Sequence, residues 1–314
     1  MKTAFLFPGQ GAQHVGMGRD LCEAVPAAQN LFAQAEEITG IDLRKLCFEG
    51  PEDRLAQTDI CQPAIFTVSA AALAAMHAVL GDDRLKKIAP SYAAGLSLGE
   101  YAALYAADAV DFAPAVRLVA ERGRLMQAAA TAVESGMVSV IGLDEAQAEA
   151  LVAEAAQGET LTCANFNCPG QIVVSGTLAA CKRVEQLARD HGAKGAIPLH
   201  VAGAFHSRIM APAAEGLQAA LASVSFREPT MPVVANVDAR AHNGAREIAP
   251  KLVAQLTGAI RWQQSMEFLE SAGVERYYEI GPGKVLTGLM RRINRKAEVV
   301  RVNNMADIEA LAKE

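Results

Sequence analysis

The chain has no C-x-x-C pair, no excess of basic residues, no low-complexity tract and no internal repeat. Each absence closes off a class of protein. The six cysteines (Cys22, Cys47, Cys61, Cys163, Cys168 and Cys181) follow no zinc-ligand spacing. A chain of 314 residues also needs no disulfide staples to hold a core, so they read as reduced cysteines of the interior. A formal net charge of −6 argues against a nucleic-acid binder held by general electrostatics. Long hydrophobic runs are missing too. Ala4-Phe5-Leu6-Phe7 stops at Pro8-Gly9, too early for a secretory signal. Val68–Leu80 is too short to span a bilayer and reads as a buried helix. The expected setting is cytoplasmic, with no membrane and no nucleic acid as partner. The glycine-rich loop Pro8-Gly9-Gln10-Gly11-Ala12-Gln13 is followed by no Lys-Ser/Thr, which excludes a P-loop, and its spacing misses the dinucleotide fingerprint.

What is present is ample core: 51% hydrophobic against 20% charged residues fits one large domain, or a large one with a smaller partner. Thr3–Phe7 reads as a strand buried on both faces. Strands and helices are then expected to alternate to about residue 128, as in a parallel sheet covered by helices. From there the order changes. Gly136–Gly142 reads as a strand, Asp144–Ala156 as a helix, and Leu161–Phe166 and Gln171–Ser175 as two strands about an Asn-Cys-Pro-Gly turn. Leu178–His191 follows as a helix and Ala193–Leu199 as a strand. That β-α-β-β-α-β order is the ferredoxin-like unit. A small domain over 129–199 is therefore expected inside a large α/β domain made of 1–128 and 200–314. The large domain resumes with a strand at Met231–Asn236, a helix near Leu252, a strand at Arg276–Ile280 and a helix at Lys284–Ile293.

Gly95-Leu96-Ser97-Leu98-Gly99 is the most informative stretch. G-x-S-x-G is the pattern of a tight strand-to-helix turn that leaves the serine Oγ protruding, and the following helix aims free N–H groups, including that of Leu98, at an oxyanion beside it. A short strand in Ala89–Ala94 and a helix over Glu100–Ala107 supply that context; a glycine-flanked capping serine is the plainer alternative. A serine nucleophile needs a base. Among His14, His77, His191, His200, His206 and His242, His206 lies in Gly203-Ala204-Phe205-His206-Ser207, at the far edge of the proposed insertion where an interdomain cleft would open. The helix Pro114–Ala130 carries Arg117, Arg122 and Arg124. Arg122 has Leu118, Val119, Leu125 and Met126 at its helical neighbour positions and so lies on the apolar stripe, whereas Arg117 and Arg124 each have Glu121 among theirs. An arginine there must be paired, either with a structural carboxylate or with a substrate anion that its guanidinium grips bidentately.

Five motifs now stand in order: Phe5-Leu6-Phe7-Pro8-Gly9-Gln10-Gly11-Ala12-Gln13, Gly95-Leu96-Ser97-Leu98-Gly99-Glu100, Arg122-Gly123, Ala204-Phe205-His206-Ser207 and Glu279-Ile280-Gly281-Pro282-Gly283-Lys284. Over nearly its whole length the chain resembles malonyl-CoA:acyl carrier protein transacylases of fatty acid synthesis and some polyketide systems. The resemblance implies an α/β-hydrolase-like domain with a ferredoxin-like insertion. It implies Ser97 as nucleophile, His206 as base, and an oxyanion hole from the Gln10 loop and the Leu98 N–H. It implies Arg122 as the malonyl carboxylate's partner and a Gln255 backbone carbonyl that orients the histidine, which would explain why no acidic third member is evident. Asn165 is implied near the pantetheine arm, and Phe205 where malonyl-selecting relatives carry phenylalanine. Malonyl-CoA is then a substrate, holo acyl carrier protein the partner, and no cofactor or metal is called for. One departure is visible: most members have histidine before the nucleophile, and this chain has Leu96. A discrete chain would serve a dissociated system. A serine acyl-hydrolase and a non-catalytic carrier-binding subunit are the competing readings. Lys284, Arg291, Arg292, Arg295 and Lys296, with Lys182 and Arg183, are candidates to dock an acidic carrier, against the simpler reading of solvated helix faces.

Overall fold

The structure, a computed structural model, describes residues 1–314. It contains two sheets. The larger is built from β1 (Lys2–Phe7), β2 (Tyr92–Gly95), β7 (Val233–Val234), β8 (Val274–Ile280) and β9 (Glu298–Val302). Its strands lie in the order β7-β2-β1-β8-β9 and every pairing is parallel. Side chains alternate along β1. Phe5 and Phe7 enter one hydrophobic cluster with the long helices, and Ala4 and Leu6 enter another with Trp262 and Leu269. Both faces are thus covered, as a parallel sheet requires. The smaller sheet holds β3 (Ser135–Ile141), β4 (Leu161–Cys168), β5 (Gln171–Thr177) and β6 (Gly195–Pro198), all antiparallel in the order β4-β5-β3-β6. The helices Glu145–Ala156 and Leu178–Leu187 lie over it and share its own core with Val140, Leu151 and Val184. The chain is a two-sheet α/β protein with the ferredoxin-like strand order in its second sheet.

Several sequence expectations need correction. The first 128 residues hold only two strands; between β1 and β2 the chain runs through six helices. The longest of them, Thr58–Val79, starts ten residues before the expected apolar stretch. It is long and apolar enough to cross a membrane, but most of it is buried inside the protein. A helix apolar on all sides is what a core helix looks like. The expected strand Met231–Asn236 shrinks to Val233–Val234 because Pro232 has no N–H to give and the Asn236 N–H leaves the ladder to bond the Glu100 carboxylate. The helix from Leu178 ends at Leu187, short of His191. β9 and the final helix, Met305–Lys313, went unread; β9 is a half-exposed edge strand without a clean alternation.

Candidate active site

Parallel sheets bind ligands beyond the carboxyl ends of their strands. Here β1 runs out at Phe7 into the Gln10 loop, and β2 at Gly95 into the turn that carries Ser97. Ser97 sits at φ 51°, the left-handed region that non-glycine residues enter only when their surroundings force it. The flanking glycines make the turn sterically possible. A Cβ on Gly95 would lie 1.9 Å from the Gly99 carbonyl carbon, and one on Gly99 would lie 2.1 Å from the Phe7 oxygen. The helix Gly99–Ala106 starts there, so its first turn faces the serine.

His206 also has a positive φ, 56°, on the loop leaving the small sheet. Its Nε2 is 2.9 Å from Ser97 Oγ, and its Nδ1 is 2.7 Å from the Gln255 carbonyl oxygen. A carbonyl only accepts, so the proton sits on Nδ1 and the Nε2 lone pair faces the hydroxyl. Burial, and then the Arg122 charge, push the His206 pKa down to about 3, against the opposing pull of the Gln255 carbonyl. The imidazole is therefore neutral and able to accept a proton. The loop is pinned from the small sheet. Ser175 Oγ donates to the Phe205 carbonyl at 2.6 Å, and the Ala204 N–H donates to Ser135 Oγ at 3.1 Å.

Arg122 is 1% exposed, and no carboxylate pairs with it. Its Nη1 donates to Gln62 Oε1 at 2.6 Å. Its Nη2 donates to Gln255 Oε1 at 2.9 Å and to Ser97 Oγ at 3.1 Å. The guanidinium lies over the Tyr101 ring, and its Nε has no partner. Arg117 and Arg124, by contrast, point outward, the latter onto Glu121. Of the two pairings open to a buried arginine, the structural carboxylate is absent.

A cavity of about 210 Å³ joins these groups. Gln10, Ser97, Leu98, Arg122, Asn165, Phe205 and His206 all line it, and Leu96 does too. Gln255 stands just behind. Neither the Gln10 N–H nor the Leu98 N–H is used in a backbone hydrogen bond, so these two residues of the cavity wall each keep a free donor. A hydroxyl held by a neutral imidazole, two free donors and an unneutralised guanidinium are equipment for acyl transfer from a carboxylate-bearing donor.

Sequence reasoning missed Gln62, Tyr101 and Asn236 around this centre. Asn236 Oδ1 accepts the Ser97 N–H at 2.6 Å, and its Nδ2 donates to the Gly95 carbonyl at 2.7 Å. Nothing local in the sequence marks that clamp, since its partners are more than 130 residues away. The remaining histidines lie elsewhere; His191 pairs with Glu154 on the surface and His242 is buried against Glu100. Of the basic candidates, Arg183 is tied to Glu159 and to the Ala155 and Ala156 carbonyls. Arg292 is tied to Gln171, Pro169 and Gly170 on the small sheet's hairpin. Lys182, Lys284, Arg291, Arg295 and Lys296 are exposed.

The acyl transferase domain family matches residues 4–306. The malonyl CoA-acyl carrier protein transacylase of Bacillus subtilis is 42% identical over 309 residues, covering 98% of this chain and 95% of that one. Its namesake from Escherichia coli is 43% identical over 290 residues, 92% of each chain. Among solved structures, the malonyl CoA-acyl carrier protein transacylase of Coxiella burnetii superposes with a TM-score of 0.94 at 38% identity, over 100% of this chain and 97% of that one. A malonyl-transacylase solved in complex with a type II PKS acyl-carrier protein gives 0.92 at 39% identity, over 100% and 99%. With its elbow serine, its buried arginine and relatives of this similarity along its full length, the chain belongs to the acyl transferase family, among the malonyl-CoA:acyl carrier protein transacylases.

Proposed function

We infer that this protein moves the malonyl group of malonyl-CoA onto the phosphopantetheine thiol of acyl carrier protein through a malonyl-serine ester, in the cytoplasm and in supply of fatty acid synthesis. The observation that carries the reading is Arg122: a guanidinium buried beside the nucleophile without a carboxylate of its own is costly unless the substrate brings one.

In the first half-reaction Ser97 Oγ attacks the thioester carbonyl while His206 Nε2 takes its proton. The oxyanion lies between the Gln10 and Leu98 N–H groups. As the tetrahedral intermediate collapses, the carbon–sulfur bond breaks and CoA leaves with the proton from His206. In the second, the carrier thiol attacks the ester, His206 again takes and returns a proton, and Ser97 is released as the hydroxyl. Arg122 holds the malonyl carboxylate throughout. Phe205, buried against the cavity, crowds a branched α-carbon and favours malonyl over methylmalonyl. Asn165 faces the same cavity and suits a contact to the pantetheine amides.

The likeness to a transacylase solved with a type II PKS carrier supports a second setting, in which the same reaction feeds a polyketide pathway. Intact-protein mass spectrometry tests the transfer reaction itself against the hydrolase and non-catalytic readings. The enzyme is mixed briefly with malonyl-CoA or acetyl-CoA, then with holo carrier protein. The expected result is a malonyl adduct on Ser97 that persists in buffer and moves to the carrier. An adduct lost to water alone would make the protein a hydrolase, and no adduct from either donor would return Ser97 to a glycine-flanked capping serine.

A further inference from the structure

Behind the nucleophile turn lies a buried carboxylate, that of Glu100, which the chemistry above does not use. The residue follows Gly99 directly, is 1% exposed, and uses both carboxylate oxygens. Oε1 accepts from His242 Nε2 at 3.1 Å. Oε2 accepts from the Asn236 N–H at 3.0 Å and from Gln255 Nε2 at 2.8 Å. His242 Nδ1 has no partner, which suits the tautomer whose only ring proton points at Glu100. The carboxylate is therefore clamped by three donors and has no freedom to rotate away.

The bond to Gln255 has the largest consequence. A carboxamide has one accepting end and one donating end. A carboxylate only accepts, so Glu100 compels Gln255 to turn its Nε2 inward, where it also donates to the Ser97 carbonyl at 3.1 Å. The Oε1 end must then face Arg122, and it accepts from Nη2 at 2.9 Å. Reversing the carboxamide would set its NH2 against the guanidinium, donor against donor. Through one amide, then, a buried negative group is connected to a buried positive group that has no direct counter-ion. Glu100 is also among the groups whose field supports the Arg122 charge against burial.

We propose that Glu100 is a positioning residue for substrate choice: through the Gln255 carboxamide it fixes the orientation of the Arg122 guanidinium. This rests on the reading of Arg122 as the malonyl anchor. Glu100 does not touch His206, so it is not the missing acid of a triad. Its effect falls on which acyl group is accepted.

The test compares malonyl-CoA with acetyl-CoA, which lacks the carboxylate, in the wild type and in three variants: Glu100→Gln, Gln255→Ala and the two combined. The readout is the ratio of kcat/KM values for the two donors, with circular dichroism to check folding. Glu100→Gln is expected to lower the malonyl-over-acetyl ratio about tenfold or more, the scale of one charge-assisted hydrogen bond, chiefly by slowing malonyl transfer. Gln255→Ala keeps the backbone carbonyl on His206 and is expected to do the same, and it carries the test alone if Glu100→Gln does not fold. Because both changes break one relay, the double variant is expected to be no less selective than the worse single. A uniform loss on both donors with the ratio intact would overturn the relay, as would a double variant whose losses multiply. A wild type without malonyl preference, or Arg122→Ala with undiminished selectivity, would instead overturn the Arg122 reading beneath it.

Discussion

Arg122 and His206 sit in the same pocket and constrain each other. The guanidinium beside the imidazole adds to the effect of burial, and together they hold His206 at about 3, far below the ordinary histidine value. Two outcomes follow with a definite sign. The base stays unprotonated on acidification, so kcat/KM for malonyl-CoA is expected to remain level from about pH 8 to pH 5, with no break near the ordinary value of about 6.5. A pH–rate profile of the half-reaction checks this. In the folded protein the pKa is lowered, so between the two values the unfolded chain binds a proton at this position that the native one refuses. Stability from this group is present above about pH 6.5 and falls as pH drops toward 3, by up to about 1.4 kcal/mol per unit. Urea midpoints measured across that window should show the decline. Arg122→Ala removes one of the two depressing influences and should bring an acid limb into the rate profile. It should also cost about 100-fold in malonyl-over-acetyl preference, since a bidentate pair forfeits two charge-assisted bonds of roughly 1.5–3 kcal/mol each, in part replaced by water.

Individual turns and loops hold these side chains, and their sequence visibility differs for physical reasons. The Ser97 turn was legible because its demands are local: a Cβ at Gly95 would collide with the backbone of Gly99, the first residue of the following helix. Gly95→Ala is expected to destabilise the fold by about 1–3 kcal/mol or more, as overpacking does, and to abolish the serine adduct. Thermal melts and mass spectrometry would read both. The orientation of Arg122 was legible from its i±3 and i±4 neighbours, and the second sheet from its element order. The clamps around the nucleophile were not. Gln62, Asn236 and Glu100 act through hydrogen bonds that cross 60 to 142 residues, and no periodicity records such pairings. The short β7 was overread because an apolar run looks like a strand until Pro232 and Asn236 take the backbone out of the ladder. The His206 loop offers a test of its own. Ser175→Ala leaves the Phe205 carbonyl without its donor, a loss of about 1 kcal/mol that lets the base drift. The expected reading is a several-fold lower kcat with KM for malonyl-CoA little changed.

Across the whole molecule the charge is −6, yet Lys284, Arg291, Arg292, Arg295 and Lys296 are exposed on the helix Val285–Ile293 and at its two ends. An acidic carrier should meet them. Charge reversal at Arg291 and Arg295, which anchor nothing within the chain, is expected to raise KM for carrier protein several-fold and leave KM for malonyl-CoA alone. Reversal at Arg292 would mix in damage to its bonds with the Pro169-Gly170 turn. Steady-state kinetics with each substrate varied in turn separates the two effects.

The nucleophile and the arginine belong to the large sheet and its helices, while the base rides on a loop tethered by Ser135 and Ser175 of the small one. His206 is held from the other side as well, since its Nδ1 reaches the Gln255 carbonyl on the helix Ile248–Thr257. The base is thus a bridge pinned at both ends, and its reach to Ser97 depends on how the two sheets are spaced.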